Sequence, residues 1–97
     1  MNWKDPKKRQ LIKALLSLET ATEAEMFLYD LMTKKEIEEF SNRLEAAKML
    51  TQQNTYMVIA KKTHLSSTTI ARVSKFLQGK GGGYKSILNK LLHRPLN

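Results

Sequence analysis

The stretch Thr55-Tyr56-Met57-Val58-Ile59-Ala60-Lys61-Lys62-Thr63-His64-Leu65-Ser66-Ser67-Thr68-Thr69-Ile70-Ala71-Arg72-Val73-Ser74-Lys75-Phe76-Leu77 decides how this 97-residue chain folds. It reads as two short helices joined by a turn of three or four residues. Thr55 can cap the first helix, in which Tyr56, Ile59, Ala60 and Thr63 share a face. His64-Leu65-Ser66 breaks it. Ser66 or Ser67 caps a second helix with Ile70, Val73 and Leu77 inward. The spacing is that of a helix-turn-helix over residues 55–77. The small residue of the Ile59-Ala60 pair lets the second helix cross the first closely, and Leu65 plugs the corner. Ile70 and Val73 hold the second helix down. His64 stands at a turn position usually given to glycine because φ is often positive there, a region histidine enters at some cost. A helical hairpin with no nucleic-acid role is the plainer alternative.

The outward face of the second helix carries Ser67, Thr68, Ala71, Arg72 and Lys75. Short hydroxyls lie near its N-terminus, with Thr69 beside them, and cations follow. Such a helix can enter a major groove, its first residues near base edges and its cations near phosphate or guanine. Lys61 and Lys62 of the first helix can brace phosphates or simply stay solvated. Tyr56 can donate a hydrogen bond to phosphate or serve packing.

Charge supports a polyanionic partner. The net charge is +8 and the isoelectric point about 9.9. All nine acids lie between Asp5 and Glu45. The first 45 residues set eight bases against nine acids, a net of −1. Residues 46–97 hold no Asp or Glu and nine bases, a net of +9: Lys48, Lys61, Lys62, Arg72, Lys75, Lys80, Lys85, Lys90 and Arg94. A one-signed field of this kind attracts polyanions. The bases spread over several helices rather than one amphipathic stripe, which favours nucleic acid over a membrane surface.

Outward from this motif the pattern stays helical. Asp5-Pro6 reads as an N-cap and first helical residue, with Leu11, Ile12, Leu15, Leu16 and Leu18 giving a stripe to about residue 19. Thr22 and Glu25 read as a capping box before a shorter helix with Met26, Phe27, Tyr29 and Leu31. Thr33-Lys34-Lys35-Glu36 is a second such box. Ile37, Phe40, Leu44, Ala47 and Leu50 follow it in the longest helix, which ends near residues 52–54. Gly79, Gly81, Gly82 and Gly83 break the chain before a last helix from about Tyr84 with Ile87, Leu88, Leu91 and Leu92, stopped by Pro95. No run has the two-residue period of a strand, so the fold class is all-α.

Residues 31–33 (Leu-Met-Thr), 43–50 (Arg-Leu-Glu-Ala-Ala-Lys-Met-Leu), 54–56 (Asn-Thr-Tyr) and 67–73 (Ser-Thr-Thr-Ile-Ala-Arg-Val) resemble the Trp repressor superfamily, and most closely its YerC/YecD-like branch. The glycines and Tyr84 look like that branch too. The resemblance covers about residues 11–92. It implies a six-helix fold and an intertwined homodimer, a single DNA-binding domain over residues 1–97. Its dimerisation helices would span about 6–52 and 84–93. It also implies that the helices at about 55–63 and 67–77 read DNA. A dimer would give a chain this short the core it otherwise lacks.

The Trp repressor takes L-tryptophan as corepressor. Thr33, Arg43 and Arg72 match its ligand pocket. Val73 stands where the repressor has glycine, and Phe76 where a serine contacts the ligand amine. Valine and phenylalanine would occupy ligand space, so the expectation is no cofactor and no tryptophan binding. Arg43 can instead pair with Glu39 one turn before it, and Arg72 can meet phosphate directly.

Other features are set aside. Gly79-Lys80-Gly81-Gly82-Gly83-Tyr84-Lys85-Ser86 nearly spells a nucleotide-binding loop, but Tyr84 replaces the glycine before the lysine and no strand precedes it. Trp3 with Lys7-Lys8-Arg9 reads as a DNA-contacting arm or a frayed terminus. His93 reads as an ordinary helix-end residue. The absence of cysteine excludes disulfides, thiolate catalysis and cysteine-based zinc sites. His64 and His93 lie far apart, and no metal site is expected. No acid follows Glu45 and no histidine has an acid neighbour, so no enzyme is expected. No segment approaches the roughly 18–20 apolar residues of a membrane span, and no secretory signal opens the chain; the expected location is cytoplasmic. The reading is a homodimeric, sequence-specific transcriptional regulator bound to double-stranded DNA. The alternatives are a non-specific or structural nucleic-acid binder and a protein-interaction module for an acidic partner.

Overall fold

Side chains set the helix starts. Asp5 accepts the Lys8 amide at 3.2 Å and opens α1 (Pro6–Leu16), with proline first where a missing N–H costs nothing. Thr33 accepts the Glu36 amide at 3.1 Å while the Glu36 carboxylate accepts the Thr33 amide at 2.9 Å, the reciprocal box that opens α3 (Lys34–Thr51). The Thr33 amide, with its hydroxyl second, holds the exposed Glu36 carboxyl below its ordinary pKa. The box therefore contributes at neutral pH and is lost as pH falls through that lowered value. Thr55 accepts the Val58 amide at the start of α4 (Tyr56–Thr63), and Ser66, not Ser67, accepts the Thr69 amide at the start of α5 (Ser67–Gln78).

The computed structural model describes residues 1–93, and every regular element among them is an α-helix. The remaining two are α2 (Ala21–Leu31) and α6 (Gly83–His93). Arg94 and Pro95, the latter expected to stop the last helix, lie outside the described residues. Two helix boundaries are corrected. The first helix ends at Leu16, three residues early, because Ser17 turns back and donates its hydroxyl to the Ala14 carbonyl at 2.6 Å. The second helix is capped by Thr20, with Glu23 reaching back to the Glu19 amide at 2.9 Å, while Thr22 lies inside the helix. Two overlapping Thr-x-x-Glu patterns compete there, and the earlier one wins.

The chain divides into two compact units, Met1–Ile37 and Glu38–Asn97. In the first, neither α1 nor α2 buries a single residue. Leu11, Leu15, Leu16, Met26, Tyr29 and Leu31 are all exposed. Lys7, Lys8 and Arg9 lie within α1 rather than in an extended arm, and Lys8 faces Asp5 at 3.8 Å.

The second unit holds the core. Ala46, Ala47 and Met49 of α3 cluster with Ile59 of α4 and with Ile70 and Val73 of α5. Leu50, Ala60, Leu65, Tyr84 and Leu88 pack against them. Phe40, expected inside, is exposed. Tyr56 is also exposed, so the inward face of α4 reduces to Ile59, Ala60 and Thr63. Of the expected apolar face of α6, Leu88 packs on the core; Ile87, Leu91 and Leu92 stay exposed. Burying Ile59 and Ile70 completely stabilises the unit by roughly 1.5–3 kcal/mol each.

Two left-handed residues close helices. At the end of α3, Gln53 (φ 64) puts its amide on the Leu50 carbonyl and the Asn54 amide on the Met49 carbonyl, a Schellman closure. At the end of α4, His64 (φ 61) donates to the Ala60 carbonyl at 2.8 Å. Thr63 is the buried polar residue of this corner, 1% exposed. Its hydroxyl donates to the Ile59 carbonyl at 2.7 Å and accepts the Leu65 amide at 3.3 Å. One hydroxyl thus ties the end of α4 to the segment leading into α5. Thr63→Val keeps the shape and strands the Leu65 amide, so a loss of about 1–2 kcal/mol is expected in urea unfolding. His64→Gly removes a left-handed penalty of about 1–2 kcal/mol against an entropic cost of about 0.5–1 kcal/mol; a small net rise in stability is expected, and a fall would contradict the left-handed turn.

Candidate nucleic-acid interface

The core decides what α5 shows to solvent. With Ile70, Val73 and Leu77 buried, the opposite side of the helix presents Ser67, Thr68, Ala71, Arg72 and Lys75, all exposed. Those five candidates therefore lie together as the spacing requires. Thr69 does not join them. It is half-buried, its amide donates to the Ser66 hydroxyl oxygen at 3.1 Å, and the Ser66 hydroxyl donates to its Oγ1 at 3.0 Å. It serves the cap.

The cations are not equivalent. Arg72 and Lys75 have no acid partner among the described residues, and neither has Lys61 of α4. Lys62 does: its Nζ lies 3.4 Å from Glu45 Oε1, the same oxygen that Lys48 meets at 2.9 Å. The Lys48 hydrogen bond, outweighing burial and helped by Lys62, holds the Glu45 carboxyl below its usual pKa. Glu45 stays charged and occupies Lys62. Tyr56 stands exposed at the start of α4, next to the cap.

The three pocket candidates are each engaged locally. Thr33 is the cap of α3. Arg43 donates to Glu39 at 3.1 Å and lies over the Phe40 ring at 5.5 Å, with its Nε buried and without a hydrogen-bond partner. The Arg72 guanidinium lies over the Phe76 ring, 5.4 Å from its centroid. Val73 packs into the core, whereas Phe76 is 56% exposed. That contact is a feature the pattern reading missed, although the four-residue spacing of Arg72 and Phe76 is a signal for it.

Between α3 and α6 lies an open cleft of about 300 Å³ lined by Ser41, Leu44, Glu45, Lys48, Leu88 and Leu91. Among the described residues no group of three or more His, Asp or Glu side chains is placed to hold a metal ion. No helix among them is long and apolar enough to cross a membrane. The glycine-rich segment has Gly82 at φ 75 and runs directly into α6, whose Ser86 amide donates to the Gly82 carbonyl at 2.9 Å.

Comparison with known proteins agrees with this architecture. The family model of the Trp repressor protein matches residues 7–92. The uncharacterized protein YerC of Bacillus subtilis (strain 168) is 38% identical over 82 residues, 84% of this chain and 79% of that protein. The crystal structure of a TrpR-like protein from Eubacterium eligens ATCC 27750 superposes with a TM-score of 0.88 at 39% identity, covering 98% of this chain and 96% of that one. A Staphylococcus aureus structure gives 0.87 at 34% identity, covering 100% of this chain and 99% of the other. With six helices, a helix-turn-helix at residues 56–78 and a family match over nearly its whole length, the chain belongs to the Trp repressor family, and its YerC-like branch.

Proposed function

We propose that the protein is a sequence-specific DNA-binding transcriptional regulator acting as a homodimer in the cytoplasm. The observation that carries this reading is the outer face of α5. Ser67, Thr68, Ala71, Arg72 and Lys75 stand exposed on a helix pinned by Ile70, Val73 and Leu77, in a stretch of chain with no acid after Glu45. Ser67, Thr68, Ala71 and Arg72 discriminate bases. Lys75 and Lys61 meet phosphate, and Tyr56 can donate to it. Lys62 contributes less, since Glu45 already holds it.

The dimer is supported by what the single chain leaves uncovered. α1 and α2 bury nothing, and Leu16 and Tyr29 are each 80% exposed. Apolar exposure on this scale marks an interaction surface, and a second copy of the chain would cover it. A dimer with two copies of α5 about a two-fold axis reads half-sites about one helical turn (~34 Å) apart. Tryptophan is not its corepressor in this reading. Val73 is committed to the core, and Thr33, Arg43 and Arg72 have local partners.

Selection on random duplex DNA at about 150 mM salt is expected to enrich a pseudo-palindrome, because affinity without a stated salt concentration carries no information. Arg72→Ala is expected to weaken binding to the enriched site by roughly 1–3 kcal/mol, and added L-tryptophan to leave affinity unchanged. Binding with no enriched sequence would favour a non-specific binder instead, and no binding would favour an acidic protein partner. Sedimentation equilibrium is expected to return twice the chain's 11.2 kDa. Leu16→Asp, near-neutral on a monomer's surface, is expected to dissociate or unfold the protein; an unchanged mass and melting temperature would remove α1 from the interface.

A further inference from the structure

Phe76 is an odd residue to find half in water on the exposed flank of α5. It is 56% exposed, and Arg72, one turn before it, lies over its ring at 5.4 Å from the centroid. That distance is within the reach of a cation–π contact, for which arginine is well suited because its flat guanidinium stacks on an aromatic face. Arg43 has a ring contact of the same kind, with Phe40 at 5.5 Å, but a carboxylate besides. There a carboxylate, Glu39, takes one of the guanidinium N–H groups at 3.1 Å. All five N–H donors lie in the guanidinium plane, and an uncharged ring competes for them far less than a carboxylate does. Arg72 thus has a ring to restrain it and, among the described residues, no acid to occupy its donors.

From this geometry we infer that Phe76 is a positioning residue for DNA recognition. Its ring restrains the Arg72 guanidinium before DNA arrives, so that its donors meet a planar acceptor pair on the DNA, guanine O6 and N7 or two phosphate oxygens, with little further loss of side-chain freedom. Ordering a long side chain is a recurrent cost of association, and a restraint already present in the free protein reduces it. A carboxylate in the place of Phe76 would restrain Arg72 equally well and compete with the DNA for its donors. An aliphatic residue would leave the arginine free to wander. The inference rests on the reading of α5 as the DNA-reading helix.

A double-mutant cycle on the DNA site selected by the wild-type protein tests it, with Phe76→Leu, Phe76→Tyr, Arg72→Ala and the pair Phe76→Leu/Arg72→Ala. The exposure of Phe76 predicts that all four fold, which thermal melts and sedimentation of the dimer check first. Phe76→Leu is expected to weaken specific binding by about 3–10-fold while leaving the salt dependence of binding unchanged, because no charge is lost. Phe76→Tyr is expected to restore wild-type affinity, and Phe76→Leu to have no effect once Arg72 is alanine. Overturning results are a Phe76→Leu loss that persists in the Arg72→Ala background, which would mean that the ring itself touches DNA or the partner subunit, and a Phe76→Leu variant that binds like wild type while Arg72→Ala does not. A wild-type protein that selects no sequence would overturn the reading of α5 as well, and is recognised before any variant is compared.

Discussion

The side-chain cluster that joins three helices around Ala46 and Ala47 is the constraint on which the rest of the second unit depends. Both alanines are fully buried on α3, clustered with Ile59 of α4 and Ile70 and Val73 of α5. Two adjacent methyl side chains leave room for the branched side chains of the helix pair to cluster over α3. Larger residues there would overpack a dense core and push α4 and α5 outward. Once Ile59 and Ile70 are seated, the rotation of α5 about its own axis is set, because a helix that buries one stripe must expose the opposite one. The outer face of α5 is therefore a consequence of packing on its inner face.

The corner between the two helices is held by polar chemistry rather than bulk. The buried Thr63 hydroxyl takes the Leu65 amide and gives its proton to the Ile59 carbonyl. Leu65 itself closes the corner against the core. His64 accepts a left-handed backbone so that its own amide can return to Ala60. A buried donor without a partner costs more than a hydrogen bond gains, so this corner has one low-energy arrangement, and the angle between α4 and α5 follows from it.

Electrostatics then sorts the cations. Glu45, the last acid in the chain, reaches back into the basic half and takes Lys48 and Lys62 on one carboxylate oxygen. Lys61, Arg72 and Lys75 remain without acid partners among the described residues. Arg72 is restrained by an uncharged ring instead, which keeps its charge and its donors available to a polyanion. In the first unit the chemistry is of another kind. α1 and α2 keep their apolar residues uncovered.

Local pattern alone determined much of this protein. The helical period, the Asp5, Thr33 and Thr55 caps, the left-handed turn at His64, and the inward set of Ile59, Ile70, Val73 and Leu77 all follow from residues within one or two turns of one another. Such interactions are written in short-range spacing, and the five exposed residues of α5 follow from the same period. Tertiary structure decided what spacing leaves open. It buried Ala46 and Met49 while leaving Phe40 in solvent, and drew Lys62 to Glu45 across 17 positions of chain. The choice of Thr20 over Thr22 as a cap, the part of Thr69 in the Ser66 cap and the Phe76 ring beside Arg72 are contacts within one turn, where several local patterns compete. The physical reason is that competing local patterns of equal merit, and contacts between residues on different helices, are settled only by the packing of whole elements, whose energies no short window of sequence contains.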